Sequence, residues 1–396
     1  MDIKTEITDY LGKFDLDVRK SGDARFSDQK CTPDVICFIA DCIQNSFSQN
    51  DVFDVNSIWR SQYFIKNTRA IFNKPWADDK RVRHEYDKFI AQPLRLLAYA
   101  HILELDRESG KNIYRVRNAY LLDYISRRER NTFVFLSCYF EKVLTDSGLW
   151  NDFLEYKDNP DTETYISLRD RFIRFMIGNT AINKAVEVRR IFPKILNVFA
   201  VANQLPGSEK GRMSKYVYTF SDLMYNRKNW RDLNKEKTIS RQEAIGESED
   251  VAQQEAYNAY YVQKAIEQIR KIQKESEVHD QWAQGEATQV HHIFPKSQFP
   301  QIAHYLENLI LLTPTQHYIK AHPGNKTQTI NRDYQLSCLL AKADTIDNSL
   351  KRFGERYYRK ESFLYVIMVG LSQEQAWPMS MSFTEIKHQL ILAYNS

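Results

Sequence analysis

Two adjacent histidines, His291 and His292, begin the stretch of this 396-residue chain that is best suited to acid–base or metal chemistry. Asn308 follows His292 by sixteen positions, and His317 follows Asn308 by nine. A neutral imidazole, with an ordinary pKa of about 6.5, can accept a proton or bind a divalent metal at neutral pH. The residue types therefore indicate metal-assisted proton transfer.

Two short strands and a helix are predicted to position these side chains. The first strand covers residues 289–294, the second covers residues 308–312, and a helix carrying His317 begins at Pro314, since Pro is favoured in a first helical turn. Neighbouring residues on a strand point to opposite faces, so His291 and His292 are expected to have different roles.

This order of strand, loop, strand and helix, with these residues at these spacings, resembles the HNH (ββα-metal) nuclease family. The likeness covers only about thirty-five residues. An apolar frame also fits the family pattern, and it comprises Ile293, Pro295, Leu309, Leu311 and Leu312. The resemblance implies a phosphodiester hydrolase whose products carry 5′-phosphate and 3′-hydroxyl ends.

The resemblance also implies a role for each residue. His291 and His317 would be metal ligands, and His292 would be the general base. Asn308 would hold the loop between the strands and so orient the base. With few protein ligands, the ion keeps positions for water and phosphate, which suits Mg²⁺, Mn²⁺ or another divalent ion.

Two departures from the family pattern limit what is carried over. Many members have cysteine pairs for a structural zinc where this chain has Thr313 and Gln316, so no such zinc is expected. Some members have a further helix histidine where this chain has Ala321, with His322 one residue later. On an α-helix His322 lies about 140° past a full turn from His317, so it is a third ligand, a phosphate contact or a residue without a role.

Two nearby lysines, Lys296 and Lys320, are candidate contacts of the scissile phosphate. The alternative is that both are solvated surface charges.

The first 149 residues are predicted to form helices followed by a β-hairpin. Thr32-Pro33-Asp34 begins one helix, with Thr32 as the cap and Pro33 in the first turn. A second helix is expected after Ser57, and a third over residues 81–92, ending where Pro93 interrupts it.

Two strands, residues 102–105 and 113–116, flank a turn at Ser109-Gly110. Three helices and a hairpin are the order of a winged helix, in which a helix lies in the DNA major groove. On this interpretation the DNA contacts of the third helix and the hairpin tip are Lys80, Arg81, Arg83, Lys88, Arg107 and Lys111. The alternative is an ordinary helical domain with solvated basic faces.

Residues 150–250 are predicted to be helical at first and then rich in basic and aromatic side chains. A break is expected at residues 205–208, after an amphipathic helical stretch. Cations among aromatic rings suit phosphate contact and base readout, and the candidates are Arg227, Lys228 and Arg231. A basic face over an aromatic core is the alternative.

The chain is therefore predicted to be α+β and mostly helical, with three regions. Residues 1–149 are winged-helix-like, residues 150–250 are a helical and basic-aromatic DNA-recognition region, and residues 251–396 hold the nuclease module with a helical tail. A long helix carrying Val262, Ile266 and Ile269 on one face is expected to contact this module. The tail either completes the catalytic core or forms a dimer contact.

Composition excludes several other classes of protein. Hydrophobic residues make up 43% and charged residues 27%, which fits a globular chain. No apolar run approaches the roughly eighteen residues of a membrane span, and the N-terminus lacks the features of a secretory signal, so a cytoplasmic protein without a membrane partner is expected. Five scattered cysteines without a CxxC pair predict buried thiols.

A nuclease module preceded by candidate DNA-binding regions resembles a type II restriction endonuclease. One HNH site cuts one strand, so duplex cleavage implies two sites, most simply in a homodimer, and a restriction enzyme implies a cognate DNA methyltransferase in the host. One alternative is a modification-dependent or other phage-defence HNH nuclease. Another is a winged-helix DNA-binding regulator with an inactive HNH fold.

Overall fold

The computed structural model describes residues 2–72, 74, 83–225, 251–321 and 331–395, and for residues 251–256 it describes the backbone only. The chain is mostly helical and belongs to the α+β class. Two compact units can be distinguished, residues 4–249 and residues 250–396, with residues 1–3 grouped with the second unit.

In the part of the chain that the structure describes, the unit formed by residues 4–249 begins with six α-helices and a hairpin. The helices are α1 (Ile3–Leu11), α2 (Val18–Ser21), α3 (Pro33–Ser46), α4 (Val55–Trp59), α5 (Gln62–Phe72) and α6 (Arg83–Tyr99). The predicted start of α3 is confirmed, with Thr32 as the cap and Pro33 in the first turn. This helix is buried from Pro33 to Ile43, so it forms the centre of the unit.

Two of the predicted helix boundaries in this unit are wrong. The helix expected after Ser57 begins at Val55 and is two helices, because the side chain of Asp54 and that of Ser57 cap α4 reciprocally and the chain turns at Arg60. Pro93 lies inside α6, which continues to Tyr99.

The predicted hairpin at the end of α6 is confirmed. Strand β1 (Leu103–Glu108) pairs antiparallel with β2 (Lys111–Val116). Ser109 and Gly110 both have positive φ, 50° and 79°, as a two-residue hairpin turn requires.

The described residues that follow in this unit, up to residue 225, include five α-helices and a second hairpin. The helices are α7 (Ala119–Arg127), α8 (Glu129–Asp146), α9 (Trp150–Asp158), α10 (Thr162–Asn179) and α11 (Ala185–Asn203). The break expected at residues 205–208 is the start of strand β3 (Pro206–Glu209), which pairs with β4 (Arg212–Val217) and packs on α11. This hairpin was not predicted from the sequence.

The second unit contains a third antiparallel pair surrounded by helices. Strand β5 (Gln289–His292) pairs with β6 (Leu309–Leu312). The helices are α12 (Val251–Ile272), a π-helix at Gln316–Ala321, α13 (Arg332–Phe353), α14 (Lys360–Gly370) and α15 (Phe383–Asn395).

One hydrophobic core joins these elements. Helix α12 packs against both β5 and β6, as the sequence predicts, and buries Ile269. Residues of the C-terminal tail, among them Leu339, Phe363 and Leu390, belong to the same core as the four residues of β6. The tail therefore completes the core around the strand pair.

No helix in the described part of the chain is long and apolar enough to cross a membrane. Of the five cysteines, Cys138 is half-buried, and the buried ones are Cys31, Cys37, Cys42 and Cys338.

Candidate catalytic and metal-binding site

The β5–β6 pair brings the histidine doublet to the end of its ladder. His291 is paired with Ile310 and His292 with Leu309. All four residues of β6 are buried, which fixes the register, since a slip by one residue would exchange the faces of both histidines. His291 is buried at 3% exposure, whereas His292 is half-buried. The two rings thus have different environments, as expected from their positions on a strand.

Asn308 supplies the hydrogen bonds to the first strand's chain beyond the point where the β5–β6 ladder ends. The first strand was predicted to reach residue 294, but β5 ends at His292, and Asn308 closes a 3₁₀ turn rather than opening a strand. The backbone N–H of Ile293 donates to the carbonyl oxygen of Asn308 at 2.9 Å. The side chain of Asn308 forms two hydrogen bonds with the backbone of Phe294, so the antiparallel pairing continues two residues beyond the end of β5.

The amide of Asn308 also holds the loop between the strands. Its Nδ2 donates to the carbonyl oxygens of Phe294 at 3.1 Å and Ile302 at 3.3 Å, while its Oδ1 accepts from the N–H of Phe294 at 2.8 Å. The side chain is completely buried. Replacing a buried amide with this many partners destabilises the fold, because each broken hydrogen bond leaves a buried polar group with neither a protein partner nor water.

His292 is oriented by the same loop. Its Nε2 lies 3.0 Å from the carbonyl oxygen of Ala303. A carbonyl oxygen only accepts, so Nε2 carries the hydrogen and Nδ1 of the neutral ring keeps its lone pair. Burial lowers the pKa of His292 below 6.5, and the positive charge of Lys296 lowers it further, against the opposing effect of the bond to Ala303. The ring is therefore held as a neutral proton acceptor near neutral pH.

His291 and His317 face each other across the strand–helix junction. Their ring centroids are 5.3 Å apart and the ring planes are nearly perpendicular, at 79°. Two imidazoles that share one ion at metal–nitrogen distances of about 2.1 Å have centroids at most roughly 6.5 Å apart. The distance between the two rings is therefore within the range that a shared divalent ion permits.

No larger ligand set is visible in the described ranges of the chain, in which no group of three or more His, Cys, Asp or Glu side chains is arranged to hold a metal. His322, the third candidate, lies outside the described residues. An ion bound by the histidine pair alone keeps most of its coordination positions for water and phosphate.

The helix that carries His317 is not the α-helix expected. Residues Gln316–Ala321 form a π-helix, whose hydrogen bonds join residues five apart. Gln316 and Ala321 are five apart and both are buried, so the wider turn matches the burial pattern. The α-helical rotation used to place His322 relative to His317 does not apply to this turn.

The two candidate phosphate contacts near the site differ in environment. Lys296 is exposed and close enough to influence the pKa of His292. Lys320 is half-buried, and its Nζ lies 4.5 Å from the centroid of the Trp282 ring. Lys296 can follow a ligand freely, whereas Lys320 is held by a cation–π contact.

Thr313 and Gln316, which stand where many HNH proteins have zinc-binding cysteines, form hydrogen bonds in this chain. Oε1 of Gln316 accepts from Oγ of Ser276 at 2.6 Å and from the N–H of Thr313 at 3.0 Å. Its Nε2 donates to the carbonyl oxygen of Val278 at 2.7 Å and to Oδ1 of Asp280 at 3.0 Å. Residues 276–282 were not predicted to belong to the site, because their composition gives no sign of a contact with a residue forty positions away.

A buried ion pair lies behind strand β6. The carboxylate of Glu277 is 2.7 Å from Nζ of Lys342 on α13, and both side chains are almost completely buried. Glu277 also accepts from the N–H of Leu311 through Oε1 at 2.9 Å and donates its own N–H to the carbonyl oxygen of Leu311 at 3.0 Å. Residue 277 thus binds β6 on the side away from β5.

The C-terminal helices contact the loop of the site directly. The amide of Gln335 donates to the carbonyl oxygen of Ile293 at 2.6 Å. A side-chain carbon at Gly370 would lie 2.3 Å from the ring of Phe294, so only glycine allows α14 to approach this ring. Helices α13 and α14 therefore help to shape the loop that Asn308 closes.

The predicted DNA contacts of the first unit are dispersed over several elements. Arg83 begins α6 and donates to Asn56 at 3.0 Å, and Lys88 is exposed on the same helix. Arg107 and Lys111 are exposed next to the turn of the first hairpin. The remaining candidates lie outside the described residues, and these are Lys80, Arg81, Arg227, Lys228 and Arg231.

A polar cavity of about 610 Å³ lies beside Lys88 in this unit. Three arginines that the sequence analysis did not select also line it, Arg25, Arg95 and Arg190. Asp28 and Asp87 line it as well, so its charge is mixed. The three arginines come from separate helices and turns, and their spacing along the chain gives no sign of the cluster.

Comparisons of the chain with protein-family models, with curated proteins and with solved structures give no match.

Proposed function

We propose that this chain is a metal-dependent DNA endonuclease of the HNH type. The observation that carries the proposal is the pairing of a proton acceptor with a candidate metal pair. Nε2 of His292 is bound to the loop carbonyl of Ala303, which leaves Nδ1 free to accept a proton, and the neighbouring residue His291 faces His317 at 5.3 Å. These are the groups that hydrolysis of a phosphodiester requires.

The residues of the chain divide the chemistry as follows. His292 removes a proton from the attacking water at Nδ1, and its depressed pKa keeps the ring neutral for that task. Asn308 keeps the loop closed, so that Ala303 holds the ring in one tautomer and one orientation. Lys296 offers a positive charge to the phosphate on the exposed side of His292.

His291 and His317 would hold the divalent ion, with Mg²⁺ or Mn²⁺ as the candidates. When bound, the ion supplies positive charge for the phosphoryl oxygens and for the leaving 3′-oxygen. The products would carry 5′-phosphate and 3′-hydroxyl ends. Because Gln316 and Thr313 are engaged in hydrogen bonds to residues 276–282, no structural zinc is proposed there.

The more specific proposal is a type II restriction endonuclease acting on duplex DNA. Its support is the hairpin of β1 and β2 that follows α6, as a wing follows the recognition helix of a winged helix, and the exposed cations Arg83, Lys88, Arg107 and Lys111. One active site cuts one strand, so two copies of the chain, as a homodimer, would cut both. A cognate DNA methyltransferase is the corresponding partner in a cytoplasmic host system.

The decisive experiment is digestion of a large unmethylated DNA with the purified protein and Mg²⁺, followed by sequencing of the fragment ends. Discrete ends that share a short motif are expected. The matched control is His292→Ala, which should abolish cleavage and leave both DNA binding and Mn²⁺ binding intact.

Other outcomes would change the proposal in defined ways. A smear of random ends would retain the HNH chemistry and remove the site specificity. Cleavage of methylated DNA alone would indicate a modification-dependent nuclease. Tight binding of one duplex without cleavage in any metal would favour a DNA-binding regulator with an inactive HNH fold.

A further inference from the structure

We propose that Gln316 is the positioning residue of the metal pair, and that it acts through a strap formed by residues 276–282, of which Ser276, Glu277 and Val278 are buried. This inference rests on the proposed function, because it assigns to residues that touch no substrate the task of keeping His291 and His317 at binding distance. Gln316 immediately precedes His317 and is completely buried.

All four hydrogen-bonding positions of the Gln316 side chain are used. Two donors, Oγ of Ser276 and the N–H of Thr313, point at its Oε1, and its Nε2 donates to Val278 and Asp280. A primary amide has two donor hydrogens and two acceptor lone pairs, so no alternative rotamer or amide flip would satisfy the same partners. The side chain therefore fixes the turn that leads into His317 in one position.

The strap is fixed at its far end as well. Asp280 accepts from the N–H of Trp282 at 2.8 Å through Oδ1 and from the hydroxyl of Tyr334 on α13 at 3.1 Å through Oδ2. Oγ1 of Thr313 donates to the carbonyl oxygen of Trp282 at 3.1 Å. The turn before His317 is thus bonded to the strap at two separate points.

The same strap also contacts the strand that pairs with His291. Glu277 exchanges two hydrogen bonds with Leu311, the neighbour of the Ile310 that stands opposite His291 in the ladder. Residues 276–282 therefore bind β6 at one point and the turn before His317 at others. The strap therefore provides a second connection between the two proposed ligands, besides the covalent link from β6 to the π-helix.

This arrangement predicts a specific defect when the amide is removed. In Gln316→Met the side chain keeps its length and apolar contacts but loses all four hydrogen bonds, so the turn before His317 can shift. Loss of a group that orients a metal ligand typically weakens metal binding by about 10- to 100-fold. At saturating metal most of the cleavage rate should return, since His292 and Asn308 are not bonded to Gln316.

The test is a titration of the full-length protein with Mn²⁺, followed by the electron paramagnetic resonance signal of the free ion, in the absence of DNA. Gln316→Met should raise the Kd for Mn²⁺ at least about tenfold. Gln273→Met is the control, because Gln273 donates to the hydroxyl of Tyr358 at 3.0 Å and touches neither the strap nor a ligand. Its Kd should equal that of the wild type.

A milder variant decides the question if Gln316→Met fails to fold. Ser276→Ala removes one donor to Oε1 of Gln316, together with the contacts of the same hydroxyl with the backbone of Val278 inside the strap. It creates no steric conflict, and it should raise the Kd for Mn²⁺ severalfold. A folded Gln316→Met or Ser276→Ala protein with the affinity of the wild type would overturn the inference and leave the proposed nuclease standing. A wild-type protein that binds no Mn²⁺ would overturn the metal site itself, and the inference with it.

Discussion

Asn308 and Phe294 are joined by two hydrogen bonds that lie in line with the β5–β6 ladder, one from the N–H of Phe294 to Oδ1 and one from Nδ2 to the carbonyl oxygen of Phe294. A third bond from the same amide reaches Ile302, next to the Ala303 that holds His292. The orientation of the proposed base therefore depends on a residue that does not touch it.

Asn308→Asp should destabilise the protein and reduce cleavage. The substitution removes both donor bonds of Nδ2 and places a carboxylate against two carbonyl oxygens in a buried site, so the free energy of unfolding should fall by at least about 2 kcal/mol. Urea denaturation and cleavage rates measure the two effects. Asn331→Asp is the matched control, because Asn331 caps α13 through its Oδ1 and Asp caps a helix equally well. Equal stability of the two variants would contradict the role of Asn308.

Cleavage should persist when the pH falls through about 6.5, the ordinary pKa of histidine. The pKa of His292 is lowered, chiefly by burial, so the ring stays neutral until the pH reaches this lower value, and only below it should the rate decline. The same shift makes the folded state lose stability as the pH falls below the unfolded pKa, because the unfolded chain then binds a proton that the folded chain does not. Single-turnover rates at saturating metal measure the acid limb.

Lys296→Gln should move this acid limb to higher pH. The variant removes a positive charge that depresses the pKa of His292, so the ring becomes protonated earlier as the pH falls. Lys271→Gln, which removes another exposed cation of the same unit, should leave the limb unchanged. Coincident profiles for wild type and Lys296→Gln would show that Lys296 does not act on His292 in solution.

His291→Ala and His317→Ala should each weaken Mn²⁺ binding by more than about tenfold, because each removes one of the two candidate protein ligands. Chelation of the metal should stop cleavage by the wild type, and added Mg²⁺ or Mn²⁺ should restore it. Calorimetric titration measures the affinities. His304→Ala is the control, since the His304 ring contacts Tyr261 and Tyr305. Unchanged affinity in either ligand variant would remove that residue from the site.

Lys342→Met should be strongly destabilising, by about 3–5 kcal/mol, because it leaves the carboxylate of Glu277 buried without its cation. The double variant Glu277→Gln/Lys342→Met should recover a large part of the loss. Glutamine can still accept from the N–H of Leu311 and carries no charge. A double-mutant cycle in urea measures the coupling, and additive effects of the two substitutions would refute it.

Gly370→Ala should cost about 1–3 kcal/mol, since the new methyl group overlaps the Phe294 ring and forces that ring or α14 to move. Gly178→Ala provides the contrast. Gly178 lies near the end of α10 with no atom near its added carbon, so alanine there should stabilise by up to about 1 kcal/mol. Thermal unfolding distinguishes the two, and a neutral Gly370→Ala would indicate a looser contact.

The sequence predicted local features that one or two residues determine. Ser109-Gly110 set the turn of the first hairpin, and Thr32-Pro33 set the start of α3. The strand pair was predicted from its apolar residues and the prolines that follow each strand, although β5 ends two residues before the predicted position. Asp54 and Ser57 are also a local signal, a capping box that marks the start of α4, but this start was not predicted.

Features decided by distant contacts could not be predicted in this way. Pro93 was expected to end α6, but Phe89, Ile90 and Leu94 are completely buried around it. Burial of each such side chain contributes roughly 1.5–3 kcal/mol, so the three together exceed the cost of about 3 kcal/mol for an internal proline. The strap at residues 276–282 and the π-helix likewise depend on partners that sequence spacing does not reveal.

Because the helical tail contacts the site, a segment transferred to another protein must include the tail if the site is to keep its shape. The residues proposed for catalysis span only positions 291–317, yet Gln335 holds Ile293, Lys342 neutralises Glu277, and Gly370 accommodates Phe294. A segment limited to residues 291–317 would lack Gln335, Lys342 and Gly370, which shape the loop of the site. The portable module is the whole second unit, so recombination that separates the motif from its tail should yield inactive chimeras, whereas exchange near residue 250 should leave the site whole.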